Sequence, residues 1–240
     1  MAADLAREAG ELLLGLRAQL GARGIDGPDL GSQGDRRAHE LLAQRLAAAR
    51  PGDAVLSEEG DDDGSRLGAE RVWVIDPLDG TDQYCWPPRA DWAVHVALVI
   101  DHRPVAAAVA LPALGRLFST ADPPAAPERR DGPARMVVSR NGPSWQACVV
   151  ADALDAEMIP LGSAGAKAMA VVSGAADAYV HAGGQYEWDS CAPAAVAESA
   201  GLATSRIDGS PLRYNQPDPY LPDLVICRPE LAEAVLHALR

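Results

Sequence analysis

Two groups of apolar residues near the start of the chain recur every three or four positions, which is the spacing of one face of a helix. The first group predicts a helix near residues 2–20 and consists of Leu5, Ala9, Leu12, Leu13, Leu16 and Leu20. The second predicts another helix, ended by Pro51-Gly52, and consists of Ala38, Leu41, Leu42, Leu46 and Ala49. Between them, the segment from Gly21 to Gly34 contains five glycines and a proline and is therefore predicted to be a loop.

Shorter apolar runs follow, with the length that is typical of strands. Ala54–Ser57 predicts the first strand, and Val72–Ile75 predicts a second one that is apolar throughout and leads directly into Asp76. Residues 92–100 and 104–111 also have strand character. Because only three polar residues separate these last two runs, they predict a hairpin.

Strand-like and helix-like segments also alternate in the second half of the chain. The predicted elements there are a strand at Met136–Ser139, helices at Ser144–Leu154 and Ser163–Ser173, a strand at Asp177–His181 with a Gly183-Gly184 turn after it, a helix at Asp189–Ala200 and a last helix from Glu230. Alternation of this kind, with no internal repeat, indicates an α/β protein with helical layers against sheets. We expect one domain over residues 1–240, with halves of about 1–120 and 134–240 and a boundary in the proline-rich segment Ala121–Pro133.

The balance of acidic and basic residues limits the kinds of molecule that the protein is expected to bind. The 240 residues include 34 acidic and 21 basic side chains, for a formal net charge of -13. A nucleic-acid-binding protein normally has the opposite balance, because its affinity comes from cations that face phosphates. We therefore expect no nucleic-acid polymer as a partner, and an acidic protein that acts on phosphorylated metabolites would need metal ions to shield its substrate. The alternative is that the acidic charge only keeps the protein soluble.

The cysteines and the hydropathy indicate the compartment. Cys85, Cys148, Cys191 and Cys227 form no C-x-x-C pair, so neither a zinc site nor a disulfide framework is predicted, and reduced thiols are expected. No run of about 18 apolar residues occurs, so we expect no transmembrane helix and no membrane partner. The first residues are typical of an amphipathic helix and not of a secretory signal, and we expect a cytoplasmic protein.

The segment with the clearest chemistry is Asp76-Pro-Leu-Asp-Gly-Thr81. An apolar strand ends there in two carboxylates three residues apart, and the proline and glycine of the segment favour a tight turn. Asp76, the carbonyl of Leu78 and Asp79 can then face one point, and magnesium prefers such oxygen ligands. The alternative is an acidic turn that merely caps the next segment.

Two further acidic segments gain meaning from their positions. Glu58-Glu59 follows the first predicted strand, where neighbouring strand ends deliver side chains to one crevice, although such a pair is usually a solvated loop edge. Trp188-Asp189 directly precedes a predicted helix made of small residues. Asp189 can be the N-cap of that helix and nothing more, or a carboxylate held at a helix start beside a packing tryptophan.

Together these segments resemble the signature of the inositol monophosphatase superfamily. The matching residues, in chain order, are Asp35, Glu58-Glu59, Asp76-Pro-Leu-Asp-Gly-Thr81 and Trp188-Asp189. The likeness extends over essentially the whole chain. It implies a layered α-β-α-β-α sandwich, and a metal-dependent phosphatase that hydrolyses the phosphate monoester of a small soluble metabolite. It also implies a homodimer and inhibition by lithium.

The resemblance further implies two or three magnesium ions between the carboxylates. The implied metal ligands are Glu58, Asp76, the carbonyl of Leu78, Asp79, Asp189 and, in a supporting or third-ion position, Glu59. The implied catalytic residues are Glu58, Thr81 and Asp35, since the Thr81 hydroxyl, backed by one of the two carboxylates, would orient the attacking water. Divalent cations acidify water and neutralise charge on phosphoryl oxygens, which agrees with these roles.

The resemblance also bears on the substrate. The implied substrate-binding residues are Gly80, Thr81, Ser163, Lys167, His181 and Arg213. His181 stands where inositol monophosphatases have a glutamate that grips sugar hydroxyls, whereas bisphosphate nucleotidases of the CysQ type have a basic residue there. Lys167 matches a lysine of the same CysQ-type proteins, and a second phosphate on the substrate would explain both positions. The CysQ-type resemblance favours hydrolysis of 3'-phosphoadenosine 5'-phosphate to AMP and phosphate.

One segment departs from the CysQ-type pattern, and two other functions remain as alternatives to a CysQ-type phosphatase. Asp82-Gln83-Tyr84 follows the D-G-T motif where CysQ-type proteins usually have a basic residue first, which weakens the argument for a doubly charged substrate near that loop. The nearest alternative is an inositol-1-phosphatase or fructose-1,6-bisphosphatase of the same superfamily, or dual activity. An alternative of another class is a non-catalytic sensor of phosphorylated ligands.

Overall fold

Two five-stranded sheets and seven α-helices make up the described part of the chain in this computed structural model, which covers residues 1–126, 128 and 130–240. The helices are α1 (Ala2–Gly21), α2 (Gly27–Ala49), α3 (Thr81–Cys85), α4 (Trp145–Leu154), α5 (Ala164–Val172), α6 (Glu187–Ser199) and α7 (Ala232–Ala238). The strands are β1 (Ala54–Ser57), β2 (Val72–Asp79), β3 (Ala93–Ile100), β4 (Arg103–Leu111), β5 (Arg116–Ser119), β6 (Arg135–Ser139), β7 (Glu157–Leu161), β8 (Ala178–Tyr186), β9 (Ala203–Ser205) and β10 (Tyr220–Cys227). Short 3-10 turns occur at Ser65–Gly68, Pro112–Leu114 and Pro229–Leu231.

The first sheet has the strand order β1-β2-β3-β4-β5. β1 pairs with β2 in parallel, and the other neighbours are antiparallel. The predicted hairpin is confirmed, because β3 and β4 pair directly and Asp101 and His102 turn between them with positive φ. The parallel pairing of β1 with β2 brings the residues that follow β1 to the same edge as the end of β2.

The second sheet has the strand order β7-β6-β8-β10-β9. β6 runs parallel to both of its neighbours, whereas β10 is antiparallel to β8 and β9. The two sheets and the helices stack in five layers. α1 and α2 cover one face of the first sheet, α5 and α6 lie between the sheets, and α4 and α7 cover the far face of the second sheet. The predicted α-β-α-β-α sandwich is therefore confirmed.

The prediction of a loop from Gly21 to Gly34 is wrong in its second part, because α2 begins at Gly27. Gly31 and Gly34 serve close packing and not a turn. A Cβ atom on Gly31 would lie 2.7 Å from the side chain of Thr81, and one on Gly34 would lie 2.8 Å from the side chain of Leu78. The absence of side chains at these glycines lets the helix that carries Asp35 lie directly against the D-P-L-D-G-T segment.

Several other boundaries differ from the predictions. The Gly183-Gly184 turn is wrong as a strand end, since β8 continues through both glycines, which have positive φ. α6 begins at Glu187, so Asp189 lies inside the first helical turn and not before it. β5, β7, β9 and β10 were not predicted, and the final helix begins at Ala232, after a 3-10 turn. The predicted boundary Ala121–Pro133 lies partly outside the described residues, and the division into halves stays a prediction.

None of the described helices combines the length and apolar character that crossing a membrane would require. The four cysteines are all free thiols, as predicted.

Candidate active site

An irregularity at the end of β2 brings two carboxylates together. Residues three apart on a regular strand project to opposite faces. The pairing of β2 with β3 shifts register between Asp76 and Asp79, and this extra residue changes the direction of the later side chain. The N–H of Leu78 donates to Oδ1 of Asp76 at 3.1 Å and fixes the first carboxylate.

The third carboxylate comes from the helical layer between the sheets. Asp189 lies in the first turn of α6, and its Oδ2 accepts the N–H of Tyr186 at 2.8 Å. Asp76, Asp79 and Asp189 each offer an oxygen within 4.8 Å of the others. The structure therefore joins the two motifs that the sequence placed 110 residues apart.

Glu58 completes the acidic group from the residue after β1. Its side chain is exposed on one side, but desolvation by the surrounding protein, followed by the charges of Asp189 and Asp79, raises its pKa to about 7. Burial, then the charge of Glu58, raises the pKa of Asp76 well above its ordinary value. Burial, then the charge of Asp79, raises the pKa of Asp189 to about 6. Each of these shifts has the sign expected for carboxylates that share one space without a counter-ion.

Asp79 differs from its neighbours because it is already stabilised as an anion. Its Oδ1 accepts the N–H of Ala164 at 3.1 Å and its Oδ2 the N–H of Gly165 at 2.6 Å, both at the start of α5. Although burial opposes ionisation, His95 and the amide of Gly165 lower the pKa of Asp79. The imidazole Nε2 of His95 lies 3.1 Å from Oδ2 of Asp79.

The donor set fits a hard divalent cation. Oδ2 of Asp76 is buried and has no hydrogen-bond partner among the described residues, and such an atom in a native protein usually binds water or an ion. Carboxylates and a strand-end carbonyl are oxygen ligands of the kind that Mg²⁺ and Ca²⁺ prefer, and no cysteine contributes. A cation among these oxygens would remove the repulsion that raises their pKa values.

Thr81 and Asp35 stand at the edge of this acidic group. The Thr81 hydroxyl lies 3.1 Å from Oδ1 of Asp35 and 3.2 Å from the carbonyl oxygen of Leu78, both of which accept hydrogen bonds. Burial, then the charge of Glu59, raises the pKa of Asp35 to about 7. Thr81 begins α3 immediately after Gly80, whose φ of 88° is accessible mainly to glycine.

These residues line an open, predominantly polar cavity of about 260 Å³. The lining consists of Glu58, Asp76, Leu78, Asp79, Gly80, Thr81, Asp82, Gln83, Asn141, Gly162 and Asp189. Four of these residues, Asp82, Gln83, Asn141 and Gly162, were not among the predicted site residues. The signal for Gly162 is its place just before the helix-start Ser163, whereas nothing local distinguishes Asn141 from an ordinary loop asparagine.

The predicted substrate-binding residues fall into two sets. Ser163 caps α5, where its Oγ accepts the N–H of Ala166 at 3.0 Å. Lys167 lies below the cavity, with its Nζ donating to the carbonyl oxygen of Gly162 at 2.6 Å, and burial lowers its pKa. His181 is half-buried on β8, where its Nε2 lies 2.6 Å from the carbonyl oxygen of Gly183.

The other predicted residues lie further from the cavity. Arg213 is exposed and does not line it, and the neighbouring Tyr214 N–H donates to the carbonyl oxygen of His102 at 3.1 Å. Glu59 is also exposed and outside the lining, although its charge acts on Asp35. The structure thus brings seven of the predicted residues to the lining of one cavity, namely Glu58, Asp76, Leu78, Asp79, Gly80, Thr81 and Asp189. The predicted residues outside that lining are Asp35, Glu59, Ser163, Lys167, His181 and Arg213.

Comparison with known proteins identifies the lineage of this site. A sequence model described as "Inositol monophosphatase family" matches residues 1–149 and 134–240, which is the whole chain in two overlapping parts. The chain belongs to the inositol monophosphatase family. The superfamily resemblance drawn from the motifs is thereby confirmed.

Individual relatives narrow the comparison. The chain is 53% identical to a protein of Mycobacterium tuberculosis named 3'-phosphoadenosine 5'-phosphate phosphatase, over 97% of this chain and 89% of that protein. It is 29% identical to the 3'(2'),5'-bisphosphate nucleotidase CysQ of Escherichia coli, over 78% and 80% of the two chains. The crystal structure of CysQ from Bacteroides thetaiotaomicron superposes with a TM-score of 0.83 at 26% identity, covering 95% of each chain. The CysQ-type resemblance is confirmed as well.

Proposed function

We propose that this phosphatase hydrolyses 3'-phosphoadenosine 5'-phosphate to AMP and phosphate with the help of bound magnesium ions. The observation that carries the proposal is the convergence of Asp76, Asp79 and Asp189 within 4.8 Å, in a chain about half of whose residues are shared with a relative named for this activity. An unneutralised group of this kind would be costly, because like charges at such distances repel strongly. We therefore expect cations to occupy the acidic cavity in the active enzyme.

The ligands of two ions follow from the family resemblance, and the grouping of Asp76, Asp79 and Asp189 supports the second set. Glu58, Asp76 and the carbonyl of Leu78 would hold one, and Asp76, Asp79 and Asp189 would hold the other. When bound, magnesium supplies charge neutralisation on the phosphoryl oxygens and acidifies water. Asp79, whose charge the start of α5 already stabilises, would hold its ion in a fixed direction.

The protein's own groups would orient the water that attacks phosphorus. The Thr81 hydroxyl has one hydrogen, which either Asp35 or Leu78 can accept, so its oxygen stays available to accept a hydrogen bond from water. Asp35 can take up a proton passed through that hydroxyl, since its pKa of about 7 suits transfer near neutral pH. A water molecule bound to Thr81 would therefore already be oriented toward phosphorus when the reaction begins.

The second phosphate of the substrate would be recognised on the α5 side of the cavity. The CysQ-type resemblance of Lys167 and His181 supports this subsite, and burial, together with the charge of Lys167, lowers the pKa of His181. Lys167 now binds Gly162 at the cavity wall, so it supports that wall and supplies positive potential from below. We leave Arg213 out of this subsite because none of the described contacts joins it to the cavity. Gly80 and Thr81 would meet the phosphate that is cleaved, and Ser163, at the start of α5, would face the rest of the substrate.

Phosphate release across a panel of esters tests the proposal. Purified enzyme with magnesium would be given 3'-phosphoadenosine 5'-phosphate, inositol 1-phosphate and fructose 1,6-bisphosphate, with Asp79→Asn as the matched control. We expect the highest kcat/KM on the nucleotide, no release without magnesium and no release by the variant. A preference for inositol or fructose phosphate would overturn the substrate, and a wild-type protein that binds nucleotide without releasing phosphate would establish the sensor alternative. Lithium is expected to inhibit release.

A further inference from the structure

His95 is a buried histidine at the centre of the acidic group, and the mechanism above does not use it. It lies on β3 directly opposite Asp76 of β2, and its side chain is completely shielded from solvent. A buried polar side chain usually has at least one hydrogen-bond partner. The ring of His95 faces groups from two different layers of the fold.

One ring nitrogen contacts the helical layer. Nδ1 of His95 lies 3.0 Å from the carbonyl oxygen of Trp188. A carbonyl oxygen can only accept, so Nδ1 must carry the hydrogen and donate it. Trp188 immediately precedes Asp189, and this hydrogen bond therefore fixes the backbone of the first turn of α6 against the first sheet.

The other ring nitrogen contacts a carboxylate of the first sheet. Nε2 lies 3.1 Å from Oδ2 of Asp79, whose two oxygens also accept the amide hydrogens of Ala164 and Gly165. A carboxylate has about four acceptor directions. The two amides occupy two of them, and the imidazole, whose Nε2 has no hydrogen-bond partner among the described residues, closes off the space beside Oδ2.

The packing around the ring shows how closely this arrangement is built. A Cβ atom on Gly165 would lie 2.1 Å from Nε2 of His95 and 3.0 Å from Oδ2 of Asp79. Any larger residue at the start of α5 would displace either the ring or the carboxylate. The ring, the helix start and Asp79 therefore form one interlocked contact.

We propose that His95 is a positioning residue that sets the separation of Asp79 and Asp189 and thereby the affinity of the site for a divalent cation. It ties a carboxylate of the first sheet to the backbone of the helix that carries the other one. The inference rests on the proposed function, in which these two carboxylates share an ion. Groups that orient metal-bound carboxylates typically change metal affinity or activity by about 10- to 100-fold when removed.

Three substitutions separate the two ring contacts. His95→Asn places an amide nitrogen near the position of Nδ1 and retains the donor to Trp188. His95→Gln reaches the position of Nε2 and retains the contact with Asp79. His95→Ala removes both contacts. His237→Gln, at an exposed histidine of α7, is the control for the loss of a histidine elsewhere.

Calorimetric titration with MgCl₂, in the absence of substrate, measures the affinity directly. We expect His95→Ala to weaken magnesium binding by about 10- to 100-fold, with His95→Asn and His95→Gln each between it and the wild type. At saturating magnesium we expect kcat to recover in His95→Asn and His95→Gln, while KM for the ester changes little. His237→Gln should bind magnesium like the wild type.

The outcomes distinguish this inference from the proposed function. Wild-type protein that binds no magnesium would refute the metal site itself. Wild-type protein that binds magnesium, together with His95→Asn and His95→Gln variants that bind it equally well, would overturn the positioning role. Should His95→Ala fail to fold, the two nearly isosteric variants still decide the matter. Lower thermal stability with unchanged magnesium affinity would assign the residue to packing alone.

Discussion

Thr81 and Asp35 meet at 3.1 Å between the threonine hydroxyl and Oδ1 of the aspartate, although 46 residues separate them in the chain. The contact depends on α2 lying close against the D-P-L-D-G-T segment, which Gly31 and Gly34 permit. It gives a threonine at the start of a short helix a partner that a solvated turn would not provide. We therefore expect the pair to take part in the chemistry of the cavity, beyond any role in capping α3.

Removing the Thr81 hydroxyl tests this pair. Thr81→Val keeps the shape of the side chain but cannot orient water or pass a proton, so we expect kcat to fall by about 10² to 10⁴-fold. Thr81→Ser retains the hydroxyl and should keep most of the activity. Steady-state kinetics at saturating magnesium measures both variants. Equal kcat values for the valine and serine variants would show that the hydroxyl has no part in the reaction.

Asp76→Asn is expected to abolish turnover while the fold is retained. Burial already raises the pKa of Asp76 well above its ordinary value, so the substitution removes little charge from the magnesium-free protein and should change its thermal stability little. It should also remove most of the stabilisation that magnesium gives the wild type. Differential scanning calorimetry with EDTA and with magnesium measures both effects. A variant that remains active would contradict the metal site.

The stability of the magnesium-free protein should fall as pH rises from about 5 to 8. Desolvation raises the folded pKa values of Asp35 and Glu58 to about 7 and that of Asp189 to about 6. The unfolded values lie near 4. Between these pH values the folded state binds more protons than the unfolded state. The free energy of unfolding therefore decreases as the pH rises.

Magnesium should reverse that trend, because it binds the deprotonated carboxylates. Midpoints of thermal unfolding at pH 5 and pH 8, with EDTA and with magnesium, provide the measurement. We expect the larger magnesium-induced increase at pH 8. An EDTA-treated protein that is more stable at pH 8 than at pH 5 would show that the carboxylates are not forced together in the folded state.

Arg66 is expected to be the most costly arginine to replace outside the site. Its guanidinium is 2% exposed and donates to Oδ1 of Asn215 at 2.7 Å and to the carbonyl oxygen of Gln216 at 2.9 Å. Arg66→Met keeps the apolar volume, leaves both acceptors without this donor and removes the ion pair of Arg66 with Asp62, which should lower the free energy of unfolding by about 2 to 3 kcal/mol. Urea denaturation measures it. Arg7→Met, at an exposed ion pair with Asp4, should change it by less than about 1 kcal/mol.

The parts of the fold that could be predicted are those whose signal is local. Leu5, Leu13 and Leu20 mark α1 by their spacing, and the apolar run before Asp76 marks β2. Two unpredicted strands contain prolines that argue against a strand. Pro222 interrupts β10 where its pairing with β8 shifts register, and Pro160 lies in β7, at the edge of the second sheet. Both prolines therefore stand where a missing N–H is tolerated.

The candidate site also contains residues that a local sequence signal predicts and residues that only the fold brings to the cavity. The D-P-L-D-G-T segment is contiguous, so its carboxylates could be assigned before any coordinates. His95 alternates with apolar residues on β3 and looks like a core residue, because its neighbours Asp79 and Trp188 come from elsewhere in the chain. Asn141 follows β6 in a loop and reaches the cavity only through the arrangement of the two sheets.

The position of α6 between the two sheets affects how the protein unfolds. Asp79 belongs to one sheet, and Asp189 starts a helix that packs on both, so neither sheet alone presents the complete set of oxygens. An ion held across them is released as soon as either side opens. Every partly unfolded form therefore loses the binding free energy of the ion. We expect magnesium to make the two sheets unfold together in a single cooperative transition.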